Sequence, residues 1–187
     1  MAARALSVIG HPALLMPAAV AGSAASNGAP PRVLHLGLAA SVAIALCVIG
    51  YSLLQVRAGR WSHVDASLPR ERSQLNLVLC VLLFSTAGLL WCSGQPRLLS
   101  LGLGLGGAMV AAAQLSRRWV KLSLHTAFAV FAAALWWPAP VAVALLLVLA
   151  AAVSWSRLAL GRHTGGDVAA GLLAGALAGG VFASFAR

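Results

Sequence analysis

Residues 122–156 read LSLHTAFAVFAAALWWPAPVAVALLLVLAAAVSWS, thirty-five positions without an Asp, Glu, Lys or Arg. A helix that crosses the hydrocarbon core of a bilayer needs about 20 residues, so this stretch is long enough for two. WWPAP at 136–140 supplies the break. Pro138 and Pro140 end or start helices, and a Trp pair suits a membrane interface. The expected reading is two antiparallel spans joined by a tight turn.

The same test applied outward finds four further charge-free stretches, 33–56, 73–96, 98–116 and 168–186, each fitting one span. The expected fold is therefore all-α, a polytopic membrane protein with a six-transmembrane-helix bundle. Composition agrees: 61% of the 187 residues are hydrophobic and 9% charged, with a mean hydropathy of +0.93. Soluble domains carry about 25% charged residues, so soluble fold classes are excluded. Gly- and Ala-rich interiors such as LGLGLGGAMVAAA (101–113) and GLLAGALAGG (171–180) permit close helix packing.

A formal charge of +10 in a soluble protein would suggest nucleic acid. Here the basic residues sit in short clusters between apolar runs, with no basic stripe and no interleaved aromatics. No nucleic-acid partner is expected, and membrane lipids are. Thirteen basic residues against three acidic ones suit an anionic ligand. Cys47, Cys80 and Cys92 lie inside apolar runs and read as small hydrophobes, not as a disulfide frame or metal site. Twelve Arg to one Lys, with abundant Ala and Gly, is the usage of a high-GC bacterium, so a bacterial inner membrane is the expected location.

Two regions are expected: 1–32, an interfacial or poorly ordered segment, and 33–187, the six-helix domain. Arg4 and the small residues near AGSAAS also fit a signal peptide, but His11, Pro12 and Pro17 interrupt its apolar stretch. Six spans put loops 57–72, 117–121 and 157–167 on one face, with both termini on the other. All three acidic residues, together with His63, His125 and His163, fall on the first face or just inside it.

That face carries the candidate chemistry. His163 and Asp167, four apart, share one side of a helix start, where a carboxylate can orient an imidazole. Arg157, at the end of the fifth span, can fold back over the same point. An Arg fork beside an oriented His can bind a phosphoryl group and attack it. The same residues also fit a plain Arg157–Asp167 ion pair at the membrane boundary. Lys121, Ser123 and His125 open the fourth span, where free backbone N–H groups favour anions. In RWSHVDASLPRERSQLN (60–76), Arg70 and Arg72 can reach an anion, while Asp65 and Glu71 can neutralise them.

SRLALGRHTGGD (156–167), followed by VAAG, fits S-R-x5-H-x3-D and resembles the third signature of the type-2 phosphatidic acid phosphatase family. That family is related to bacterial acid phosphatases and vanadium haloperoxidases. LSLH (122–125) is similar to its second signature, P-S-G-H, with Leu122 and Leu124 in place of Pro and Gly. Motif order and the six-span layout agree, from about residue 60 to the C-terminus. The first signature, a Lys seven residues before Arg-Pro, is missing: Asp65 stands in register with Arg72, and His63 with Arg70.

The resemblance implies a metal-independent phosphomonoesterase without a cofactor. His163 would be the nucleophile, forming a phosphohistidine, with Asp167 orienting its ring and His125 as general acid. Arg157 and Ser123 would bind phosphoryl oxygens. Arg72 or Arg70 would hold the anion, with Lys121 replacing the missing Lys. The expected substrate is a lipid phosphate: phosphatidate, phosphatidylglycerol phosphate, or a polyprenyl phosphate or diphosphate. The competing reading is a membrane protein that binds or transports an anionic phospholipid without hydrolysis. His35, His125 and His163 fall on different spans without ligand-pair spacing, so neither metal nor haem is expected. The site-bearing loops hold nine basic residues against four elsewhere, which by the positive-inside rule points to a cytoplasmic site. Setting aside the four with proposed ligand roles leaves five against four, and the side stays open.

Overall fold

Prolines start the helices. Pro12, Pro31, Pro69 and Pro140 occupy first-turn positions and Pro96 is an N-cap. A first-turn N–H has no acceptor inside the helix, so proline loses nothing there and its fixed φ suits the helix. The computed structural model describes residues 1–66 and 68–186. Within them the chain runs α1 (Ala2–Ile9), α2 (Pro12–Ser26), α3 (Pro31–Arg57), α4 (Pro69–Cys92), α5 (Arg97–Ser116), α6 (Leu124–Ala134), α7 (Pro140–Ala159) and α8 (Gly165–Phe185).

Five of these, α3, α4, α5, α7 and α8, are long and apolar enough to cross a membrane, and α1 with α2 makes a sixth if that pair, bent by 55°, counts as one span. Their outward faces carry exposed Leu46, Leu54, Val81, Leu89, Leu145, Val148, Leu173 and Leu177. Apolar surface on that scale is stable against lipid, not water. The chain is an integral membrane protein of the polytopic, all-helical kind.

The opening stretch divides where WWPAP indicates, but unequally. α7 is full length, whereas α6 has 11 residues. At 1.5 Å per residue it rises only about 16 Å, roughly half a hydrocarbon core. Protein surrounds it: Thr126, Ala127, Phe128, Ala129, Phe131, Ala132 and Ala133 are all buried. α8 comes closest. A Cβ added at Gly171 would stand 2.6 Å from the Ser123 carbonyl oxygen, and Gly175 likewise leaves no room before the Ala127 carbonyl. Glycine is required at both because the two backbones nearly touch.

Residues 1–32, expected as an interfacial or poorly ordered segment, are helical over most of their length. They form α1 and α2, and Leu15 and Ala19 belong to the common core. His11 and Pro12 stand at the break between α1 and α2 and also begin a helix, His11 as N-cap accepting from the Ala13 N–H and Pro12 in the first turn. α2 runs beside α6, with Ser23 Oγ donating to the Leu135 carbonyl at one end and His11 against His125 at the other. Residues 7–11 therefore reach the face carrying the 117–123 and 157–167 loops, not the opposite one.

Candidate functional site

The site begins at the α7–α8 turn. α7 ends with the Arg162 N–H on the Arg157 carbonyl (3.0 Å) and the Gly161 N–H on the Leu158 carbonyl (2.9 Å), with Gly161 at φ +63°. This paired closure needs a left-handed residue after the cap, which glycine supplies. Three residues later α8 opens with a reciprocal cap. Thr164 Oγ1 accepts from the Asp167 N–H (3.2 Å), and Asp167 Oδ2 accepts from the Thr164 N–H (2.9 Å). His163 is held in the short link between these two closures.

Asp167 works differently from the sequence expectation. Its Oδ1 accepts from the Lys121 N–H at 3.0 Å, while Oδ2 stands 3.8 Å from His163 Nδ1, beyond hydrogen-bond length. His163 Nδ1 is instead 3.1 Å from the Lys121 carbonyl. A carbonyl can only accept, so Nδ1 carries the proton and Nε2 keeps its lone pair. Asp167 thus orients the ring through Lys121's backbone. His163 precedes the cap, outside the helix, so the spacing of four brings its ring beside Asp167 without a hydrogen bond between them. Burial, then the charges of Arg157 and Lys121, pushes His163 from 6.5 down to about 4. The imidazole is neutral at pH 7, as a nitrogen nucleophile must be.

Ser123 departs further. It is fully buried, its N–H donates to the Asp167 carbonyl (3.1 Å), and its Oγ accepts from Thr126 Oγ1 (3.1 Å). The side chain faces the α6–α8 contact, not the cavity, so it does not serve as the expected phosphoryl ligand. His125, two residues on, does line the cavity. Arg72 lines it too, whereas Arg70 is exposed and lies outside it, because two helical residues apart is a half-turn.

Lys121 lines the cavity and donates from Nζ to the Arg162 carbonyl (2.7 Å). Burial, then facing Arg72, lowers its ammonium below the usual value. Arg157 also lines the cavity; its Nη1 donates to Ser7 Oγ (2.7 Å), and its buried Nε has no partner. A guanidinium on a cavity wall favours an anionic acceptor there. Glu71, expected to neutralise the Arg pair, turns back instead. It accepts from the Ser62 N–H (2.8 Å) and the Leu68 N–H (3.1 Å), organising the loop after α3. Trp61 of that loop donates to Gln74 Oε1 (3.0 Å). The loop brings Asp65 to the cavity wall.

The cavity encloses about 1120 Å³. At the site face its wall carries Arg72, Arg117, Arg118, Lys121, Arg157 and the three histidines His11, His125 and His163, against a single carboxylate, Asp65. From there it runs along the bundle past Leu79, Leu83, Leu103, Phe128 and Phe131 to Arg97 and Trp137 at the other end. Its lining follows α5 from Arg97 to Ala113, most of a helix whose 20 residues span about 30 Å. The arrangement is a cationic mouth on a long apolar groove, complementary to an anionic head on a long apolar tail.

Sequence reading missed His11 and Ser7. His11 packs edge-on against His125, ring centroids 5.0 Å apart. The available signal was the HP pair interrupting an apolar run, which fits a capped helix start as well as a break. Among the described residues no group of three His, Cys, Asp or Glu is gathered to hold a metal ion. Comparison with protein-family models, with curated proteins and with solved structures gives no match.

Proposed function

We propose that this chain is a membrane lipid phosphatase of the kind its motifs resemble, acting on a phosphomonoester or diphosphate of a lipid in a bacterial inner membrane. The observation that carries the reading is His163. Its Nδ1–H is tied to a carbonyl, and its pKa of about 4 keeps Nε2 unprotonated beside the cationic mouth of the apolar groove. The lipid tail lies in the groove, and Arg157, Lys121 and Arg72 receive the phosphoryl oxygens. Nε2 attacks phosphorus, the N–P bond forms, and the P–O bond to the lipid breaks. His125 enters this step as imidazolium, its charge favoured by the bound phosphate anion, and hands that proton to the departing oxygen. Water then attacks the phosphohistidine, giving its proton to His125 as the N–P bond breaks, which restores both residues.

Phosphate release from a panel of lipid phosphates, by purified protein in chelator, tests this. His163→Ala should lower kcat by at least about 10³-fold, the scale on which nucleophile removal acts, with the protein still folded. Retained activity overturns the nucleophile. The buried Ser123 and the missing first signature favour one alternative, an anionic-lipid binder or transporter without hydrolysis. Lipid phosphate that binds but is never cleaved, with no phosphohistidine trapped, would establish it.

A further inference from the structure

We propose that the elbow between α1 and α2 is a positioning element of the site, His11 fixing the ring of His125 and Ser7 fixing the guanidinium of Arg157. The kinetic arm of its test rests on the phosphatase reading; the spectroscopic arm does not.

His11 is itself immobilised. Its Nδ1 accepts from the Ala13 N–H (3.2 Å), which caps α2 and leaves the ring's remaining proton on Nε2. That fixed ring stands edge-to-face on His125, interplanar angle 86°. His125 sits in the first turn of α6 with the cavity beside it, so a rigid neighbour decides where its nitrogens point. Ser7 acts likewise on Arg157. Its Oγ takes one Nη1–H at 2.7 Å, which fixes the plane of the fork where Arg157 lines the cavity.

The elbow is pressed home. α1 packs on α7, and the space where a Cβ at Gly10 would stand is already filled by the Val153 side chain. Ser7 lies 150 residues from Arg157 in sequence. No local spacing joins them, so the contact is a product of the fold. One short segment thereby reaches two groups on two different helices.

Three variants of the full chain separate positioning from mere support. His11→Asn keeps a good N-cap and loses the ring; His11→Phe keeps a ring edge and loses the cap. His11→Asn should lower kcat about 10- to 100-fold with KM within about twofold and melting unchanged, as misplacement of a reacting group does. His11→Phe should recover most of that loss. Ser7→Ala should weaken inorganic phosphate binding about tenfold, the scale of one hydrogen bond to a charged group. A His11→Asn enzyme with wild-type kcat, or a Phe variant no better than Asn, overturns the proposal. Wild-type protein that releases no phosphate overturns the phosphatase reading instead. The elbow then stands on the ¹⁵N-imidazole signal of His125, assigned with His125→Gln. A shift in His11→Asn supports positioning, and an unchanged signal overturns it.

Discussion

Residues 157–167 and residues 58–68 each join long helices at the same face of the bundle, and they hold themselves by opposite means. The first closes on its own backbone: a glycine turn ends α7, and Thr164 and Asp167 cap each other three residues apart. The second is held from outside by the helix it leads into, with Glu71 gripping Ser62 and Leu68 and Gln74 gripping Trp61. A self-closed turn can hold His163 to the tolerance that chemistry needs. A loop hung on the next helix can carry a charge such as Asp65 to a cavity wall without fixing a reacting atom. On the proposed phosphatase reading, the 157–167 turn is the frame of the reaction.

The sharpest way to break this comparison is to remove the two carboxylates in turn. Asp167→Ala frees the Thr164 and Lys121 N–H groups together and so releases the carbonyl that orients His163. Its kcat should fall about 100-fold or more, with a cap loss of about 1 kcal/mol in stability. Glu71→Gln should leave kcat within about twofold while trypsin cuts faster at Arg60, since only the hung loop loosens. Equal losses of kcat from both would erase the distinction.

A second test reaches the frame from behind. Gly171→Val on α8 drives a side chain into the Ser123 carbonyl and the Thr126 Cβ, 3.2 Å from the added Cβ. Overpacking of this kind costs about 1–3 kcal/mol, read as a lower melting temperature. Activity should fall with it, because Ser123 N–H on the Asp167 carbonyl is what ties α6 to the α8 cap. An unchanged melting point would mean the two helices can part without consequence.

These contrasts also explain what could be read from the chain. The five long spans followed from charge spacing, since each Arg or Lys cluster near a boundary is expensive to bury in lipid. The shortness of α6 did not, because an apolar residue facing Ala127 or Phe131 in protein looks the same in sequence as one facing a lipid tail. The His163–Asp167 neighbourhood was legible from a spacing of four. The actual partner of His163 Nδ1 was not, because the Lys121 carbonyl is 42 residues away and a backbone atom has no sequence signature. Ser123 and His11 failed for the same reason in opposite senses. The packing of α8 turns one away from the cavity, and a helix start read as a break brings the other in.

Protonation sharpens the contrast next. His163 at about 4 is neutral through the physiological range, and it gains a proton only as pH falls through that value. The acid limb of kcat/KM that belongs to His163 should therefore lie near pH 4, not 6.5. Arg157→Met removes the largest charge contribution and leaves burial, so the ring should titrate above 4 and still below 6.5. ¹⁵N-imidazole titration of both proteins checks this, and an unmoved value would detach Arg157 from His163.

The smallest effect is the most local. Arg70 and Arg72 belong to one helical turn of α4 and to one cluster of sequence, PRER, yet only Arg72 lines the cavity. Arg72→Ala should raise KM for a lipid phosphate about tenfold, the scale of one charge-assisted contact, because the remaining cations Lys121 and Arg157 still face the phosphoryl group. Arg70→Ala removes an exposed charge at the edge of the bundle and should change kcat/KM by less than about twofold, more in low salt than in high. If the two behaved alike, the anion would be drawn by the field of the whole basic face rather than held by particular donors. Arg117 and Arg118, which line the same mouth, would then matter as much as Arg72. A gap of about fivefold or more between the two variants, persisting at high salt, assigns the contact to Arg72, because a bond inside the cavity is screened far less than a surface charge.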